Sequence, residues 1–134
     1  MILNTLEKYR IYLVYVPLTL YWIFLFIATT VSVETLPTPR VSDKLLHFAA
    51  FAVLGVLLDL TARIQSKNPW IKSNHFIFTY VLIMIYGAFD EIHQYFIPGR
   101  SADYMDWIAD MAGAATGVIL LHLFLLLDLK FVEK

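Results

Sequence analysis

The sequence predicts an all-α integral membrane bundle of four transmembrane helices, with both termini in the cytoplasm. Three observations predict it. First, 60% of the 134 residues are hydrophobic and mean hydropathy is +0.69. That is too apolar for a water-soluble domain of this length. Second, apolar runs of about the 20 residues needed to cross a bilayer recur along the chain, separated by short polar segments. Third, the basic residues divide unevenly between the two sides of a four-span path. Lys8, Arg10, Arg63, Lys67, Lys72, Lys130 and Lys134 fall on one side, and Arg40, Lys44 and Arg100 on the other. The positive-inside rule assigns the first set to the cytoplasm. The chain, 1–134, reads as one membrane domain.

Each element follows from local signals. Met1 to Arg10 is a polar lead. Residues 11–33 carry no charge and form the first span. The run is long for a signal peptide and no clean small-x-small cleavage site follows it, so it reads as an anchor. Pro17 lies within it and predicts a kink. Glu34–Val41 (ETLPTPRV) is a loop, since two prolines block helix continuation. Ser42 or Asp43 caps a second helix over about 43–63. Asp59 and Arg63 are four apart and pair near its far end. Gln65–Asn74 is a polar loop, and a third helix spans about 75–96. Pro98-Gly99 marks a tight turn. The fourth helix runs over about 102–129, before a polar tail.

The stretch from Asp90 to Gly117 (DEIHQYFIPGRSADYMDWIADMAGAATG) stands out among these apolar runs. Ionisable groups at membrane depth are costly, so they mark a candidate functional site. On this topology Asp43, Lys44 and His47 open the second helix on the outer side. Asp90, Glu91, His93 and Gln94 lie near the outer end of the third, and Asp103, Asp106 and Asp110 open the fourth. A rise of about 1.5 Å per residue puts Asp90 roughly 9 Å below the end of its helix. The same rise puts Asp106 and Asp110 roughly 6 and 12 Å below the start of theirs. These matching depths predict a shared pocket.

Spacing then assigns faces. Asp90, His93 and Gln94 share one, and Glu91 is rotated about 100° from Asp90, so the two acids serve different partners. Asp103, Asp106, Asp110, Gly113 and Gly117 follow one stripe. Gly113-x-x-x-Gly117 permits close helix contact, so the stripe faces protein rather than lipid. Asp103 suits the helix N-terminal dipole. Asp43 lies one turn from His47 and can orient or charge it. Arg100 either grips a phosphate or carboxylate or pairs with Asp103 or Glu91. His75 and His122 lack acidic company in sequence and fall outside the candidate site. Tyr9, Tyr12, Trp70, Tyr104 and Trp107 read as interfacial belt residues.

The candidate acid–base groups are Asp43, His47, Asp90, Glu91 and Asp106. The candidate substrate contacts are Lys44, Gln94, Arg100 and Asp110. Six carboxylates stand against Lys44 and Arg100 in this cluster, a net of minus four with neutral histidines. Protonated carboxylates, charged histidines or a bound cation must balance that excess. The cofactor is open: a divalent cation with oxygen ligands would fit, although no spacing here is a recognised metal signature. The absence of Cys excludes thiolate chemistry. A net charge of −1 gives no field that would attract nucleic acid.

DKLLHFAAFAVLG (Asp43 to Gly55) and the Asp90–Gly117 stretch together resemble the VanZ-like family of small bacterial membrane proteins. The matching positions are Asp43, Lys44, His47, Phe48, Asp90, Glu91, Gln94, Arg100, Asp106, Asp110 and Gly113. Asp110 stands where that family often has Asn. The resemblance implies a multi-pass protein of the bacterial cell membrane. The family's namesake is associated with resistance to teicoplanin, a glycopeptide antibiotic, which points to the cell envelope. The expected partners are the lipid bilayer and a lipid-linked or envelope substrate. Catalysis and non-catalytic binding of an envelope precursor, drug or partner both fit. Ion or proton movement fits less well, because the helix centres are apolar.

Overall fold

A computed structural model of the protein describes residues 2–32 and 42–132, with side chains to 129. The expected loop over 34–41, with Arg40, and the terminal Lys134 lie outside the described residues, as does the Lys130 side chain. The described residues form helices and turns, with no strand among them. In order these are α1 (Ile2–Lys8), a π-helical segment (Ile11–Tyr15), α2 (Val16–Thr30), α3 (Asp43–Ile64), α4 (Pro69–Ser73), α5 (His75–Gln94) and α6 (Tyr104–Val132). Four stretches are long and apolar enough to cross a bilayer: Ile11–Thr30, Asp43–Ile64, His75–Gln94 and Tyr104–Leu129. The all-α, four-span architecture expected from hydropathy is the one observed. Large apolar side chains remain open on the outside of these helices, among them Leu20 at 62% and Leu120 at 60% exposed. Lipid is the medium in which such a surface is stable.

The proline in the first span changes the helix type instead of breaking the helix. Val16 N–H donates to the Ile11 carbonyl, five residues back. Pro17 has no N–H to give, and it sits in the first turn of α2, where that loss is tolerated. A π-type turn at a proline is a recognised way to absorb the mismatch. The polar loop after α3 also holds more structure than expected. The Asn68 side chain accepts from the Trp70 and Ile71 N–H groups at 3.0 and 3.2 Å. With Pro69 at the first helical position, it starts the short helix α4.

The turn between α5 and α6 is fixed by its two central residues. Arg100 N–H donates to the Ile97 carbonyl at 3.1 Å, and Gly99 adopts φ +78°. Pro followed by a left-handed Gly is the signature of a type II turn. It returns the chain so that α6 starts beside the end of α5.

Packing centres on α3 and α6, which run parallel. A Cβ on Gly113 would lie 2.0 Å from the Phe48 carbonyl oxygen, and one on Gly117 would lie 2.1 Å from that of Ala52. No side chain fits at either position, so the Gly113-x-x-x-Gly117 contact is real and its partner is α3. Gly55 answers from the other side, with Ala114 backbone 2.9 Å from where its Cβ would stand. α5 joins through Trp107, whose Nε1 donates to the Met84 carbonyl at 3.1 Å. This Trp is thus an inter-helix link, beyond the interfacial belt role its position suggests. α2 joins through Tyr21, whose hydroxyl donates to the Ala50 carbonyl at 2.9 Å, and through Trp22, edge-on to Tyr86 at 5.2 Å. Leu18, Leu25, Phe51, Leu54, Leu58, Ile83 and Ala114 fill the middle.

Polar groups gather at both ends of this apolar middle. At the end where α3 finishes and α5 begins, Asp59 is fully buried. It accepts from Arg63 Nε at 2.5 Å and pairs with His75 Nδ1 at 2.7 Å. The Arg63 pair is the one its spacing predicts. The His75 pair is an addition, since sequence reading leaves this residue without company. Arg63 also lies over the Phe76 ring, 5.0 Å from its centre. Nearby, Ile2 N–H donates to Asp128 Oδ2 at 2.9 Å, joining α1 to α6.

Candidate functional site

At the opposite end, the first turns of α3 and α6 meet the last turns of α5. Because α3 and α6 are parallel, their polar positions fall opposite one another. Lys44 Nζ lies 2.6 Å from Asp103 Oδ2 and 3.1 Å from Asp106 Oδ1. One turn deeper, His47 Nδ1 lies 2.9 Å from Asp110 Oδ1. One turn deeper again, the glycine seam begins. The aspartate stripe therefore faces α3 and not lipid.

From α5, Asp90 and Glu91 complete the cluster, each held differently. Gln94 Nε2 donates to Asp90 Oδ2 at 2.9 Å. Asp103 N–H donates to Glu91 Oε2 at 2.8 Å. The two adjacent acids thus have separate partners, as their 100° offset implies. His47, Asp90, Glu91, Gln94, Asp106 and Asp110 are all buried, while Asp43 and Lys44 are exposed. The structure therefore brings these residues together at one end of the bundle, with Asp43 and Lys44 at the rim.

Three details add to the sequence reading. His93 shares the face of Asp90 by spacing, yet it stacks on Phe26 of α2 at 5.1 Å instead of joining the acids. Asp103 caps α6: its Oδ1 accepts from Met105 N–H at 2.9 Å, which agrees with its expected N-terminal role. Lying just outside the span, it is held below the usual carboxylate range by its hydrogen bond to Lys44 and then by the Met105 N–H. Such a depressed group adds stability above the ordinary carboxylate range, and loses it as pH falls through the lowered value.

Arg100 is the third. Its Nη2 donates to the Ala28 carbonyl at 2.9 Å and its Nε to the Val31 carbonyl at 3.2 Å. These are end carbonyls of α2, which have no partner within the helix. The guanidinium also touches Gln94 Oε1 at 3.5 Å. Among the described residues Arg100 forms no ion pair with Asp103 or Glu91. It locks α2 to the α5–α6 turn. Arg100→Ala is expected to lower stability by about 1–2 kcal/mol, read as a fall in Tm in detergent micelles. Arg100→Lys should recover only part of the loss, since an ammonium lacks the planar fork.

Between α2, α3 and α5 lies a cavity of about 310 Å³. Asp43, His47, Asp90 and Arg100 form its polar side, and Phe24, Leu25, Leu46, Phe51 and Tyr86 contribute its apolar side. Tyr86 and Phe51 carry no sequence signal of a site, because aromatic residues in a span read first as core. The contact between Nδ1 and Asp110 holds the His47 ring in one orientation; in the neutral ring with the proton on Nδ1, Nε2 is the free acceptor. Two buried carboxylate oxygens, Glu91 Oε1 and Asp110 Oδ2, have no hydrogen-bond partner among the described residues.

A model of the VanZ/LLP1 family matches residues 3–125 of the chain. No curated protein and no solved structure matches it.

Proposed function

The chain belongs to the VanZ/LLP1 family, and from that premise we propose that it recognises or acts on a lipid-linked cell-envelope substrate at the outer leaflet of a bacterial membrane. The observation that carries this reading is the two-sided cavity. An amphiphile needs an apolar wall for its chain and a polar wall for its headgroup, and this cavity offers both within one span's depth. Its volume is at the lower end of small-molecule sites. The count of basic residues supports cytoplasmic termini, so the Asp43–Arg100 end faces outward.

The polar side is suited to proton transfer. His47, oriented by Asp110, lines the cavity. Glu91, with one free oxygen, lies behind it with a carboxylate oxygen within 4.8 Å of a ring nitrogen of His47. These two are the general acid or base candidates. Asp90 and Asp43 supply hydrogen bonds from the cavity lining, while Asp106 and Gln94 support the cluster from outside it. Glu91→Gln keeps the shape of the side chain and removes its charge. In cells, Glu91→Gln and His47→Ala are each expected to change the profile of envelope lipids and precursors, and to abolish any teicoplanin tolerance that expression of the chain confers. Unchanged profiles and tolerance at normal protein levels would overturn the reading.

One observation favours non-catalytic binding as a second reading. Lys44 is engaged by Asp103 and Asp106, and Arg100 by helix carbonyls. Among the described residues the cluster thus presents carboxylates without a free Lys or Arg, which suits a cationic ligand or partner. Dose separates the readings: a binder acts in proportion to its copy number, while an enzyme saturates the effect at low copy number.

A further inference from the structure

We infer that His47, Asp90 and Glu91 form a site for one divalent transition-metal ion, beside the cavity described above, which His47 and Asp90 line. The inference deepens the functional reading of that pocket, but it depends on coordination chemistry and not on the identity of a substrate.

Geometry comes first. The three residues each offer a ligand atom such that all three atoms lie within 4.8 Å of one another, and all three side chains are buried. Each side chain also has one polar atom tied down. His47 Nδ1 is held by Asp110 Oδ1 at 2.9 Å. Asp90 Oδ2 is held by Gln94 Nε2 at 2.9 Å. Glu91 Oε2 is held by the Asp103 N–H at 2.8 Å. The atoms left over are His47 Nε2, Asp90 Oδ1 and Glu91 Oε1. A carboxylate behind an imidazole, and a hydrogen bond behind each carboxylate, are the supports that metal ligands have in proteins.

An independent observation points to a missing partner. Glu91 is 7% exposed, yet its Oε1 has no hydrogen-bond donor. A buried carboxylate oxygen left bare is costly, and a cation satisfies it. Charge agrees. Among the described residues neither Asp90 nor Glu91 has an ion-pair partner, while Asp106 has Lys44. With His47 neutral, as a ligand must be, its Nδ1–H hydrogen-bonds Asp110, and a divalent ion supplies the positive charge that Asp90 and Glu91 lack.

A second grouping, Asp43, His47 and Asp106, shares His47, so the two cannot be filled together through the same nitrogen. It is the weaker, because Asp43 is exposed and Asp106 is already held by Lys44 at 3.1 Å. One imidazole with two carboxylates suits Zn²⁺ or Mn²⁺. Hard Mg²⁺, which keeps its waters, is disfavoured by the nitrogen and by burial. A bound ion would also reverse the local field. A pocket that repels phosphate would attract it, which favours a phosphate-bearing lipid headgroup as the occupant.

The test uses the full chain, purified in detergent and stripped with a chelator. Metal content after dialysis against Zn²⁺ or Mn²⁺ should be one ion per chain, and titration calorimetry should show no binding of Mg²⁺ at the same concentration. Glu91→Gln and Asp90→Asn should each weaken binding at least tenfold. Asp110→Asn, which acts through His47, should weaken it between about tenfold and a hundredfold. The ion should raise the Tm of the unsubstituted protein and not that of Glu91→Gln, a readout that also shows the variant is folded. Asp128→Asn, at the other end of the bundle, should bind as the unsubstituted protein does. The inference is overturned if the unsubstituted protein binds no ion, or if folded Glu91→Gln binds it equally well. An altered envelope profile for Glu91→Gln without metal binding would sink the metal site and leave the pocket's function standing. Metal binding with an unaltered profile would do the reverse.

Discussion

Gly113→Ala is expected to lower the thermal stability of the purified protein more than any other single methyl added to the bundle. The added Cβ would stand 2.0 Å from the Phe48 carbonyl oxygen and 2.8 Å from its carbon. Both atoms are backbone, so no rotamer change relieves the clash. α3 and α6 must move apart by more than an ångström, and the contacts along their seam loosen together. Overpacking typically costs about 1–3 kcal/mol, and the upper end or beyond applies here because the obstacle is a helix. Gly87→Ala is the graded comparison. Its Cβ would meet the Trp107 side chain at 3.0 Å and Asp110 Oδ2 at 3.1 Å, and side chains can yield. The expected order of Tm is therefore unsubstituted, then Gly87→Ala, then Gly113→Ala. Equal Tm for Gly113→Ala and the unsubstituted protein would mean that the two helices do not touch as described.

Asp59→Ala is expected to cost a comparable amount, for an electrostatic reason. Asp59 is fully buried and serves both Arg63 and His75. The Arg63 side chain is 15% exposed, and its Nη2 already lacks a partner. Removing the carboxylate leaves this cation uncompensated. Losing one partner of a buried pair costs about 3–5 kcal/mol, whereas ordinary polar contacts inside membranes average about 0.6 kcal/mol. The difference decides between two pictures. A loss near the smaller figure would mean that water or headgroups reach Arg63. A loss near the larger figure, regained in the double variant Asp59→Ala/Arg63→Leu, would identify the orphaned charge as the cause. Denaturation in mixed micelles measures both.

How much of this could be read from the residues differs between the two ends. At the Lys44 end, depth counting along the helices was enough to bring Asp43, His47, Asp90, Glu91, Asp106 and Asp110 together. Charged residues in a span have few places to go, and regular helix rise ties sequence position to depth. The partner of each residue was less legible. Nothing in the spacing says that Asp110 meets His47, because that depends on α3 and α6 being parallel neighbours. For Arg100 spacing offers either an anion or Asp103 and Glu91 as partners and gives no sign of the end of α2, whose bare carbonyls attract its guanidinium. At the other end spacing gives His75 no acidic company, although the same depth counting reaches it: α3 ends where α5 begins, so Asp59 and His75 lie at one level.

The middle of the bundle carries a consequence of its own. Asp59 lies twelve residues beyond His47 on α3, about 18 Å at the usual helix rise. Leu54, Leu58, Ile83 and Ala114 occupy the interval, with the Thr79 hydroxyl among the few polar atoms buried there. That layer behaves as an electrical insulator. Most of the voltage across the membrane falls over it, at about 2.3 kcal/mol per charge for each 100 mV that a charge crosses, and each ionic cluster feels only the share that falls on its own side of the layer. Changes in membrane potential should therefore act on the protonation and ion occupancy of the His47 cluster through that smaller share, so its chemistry answers mainly to what arrives from its own side.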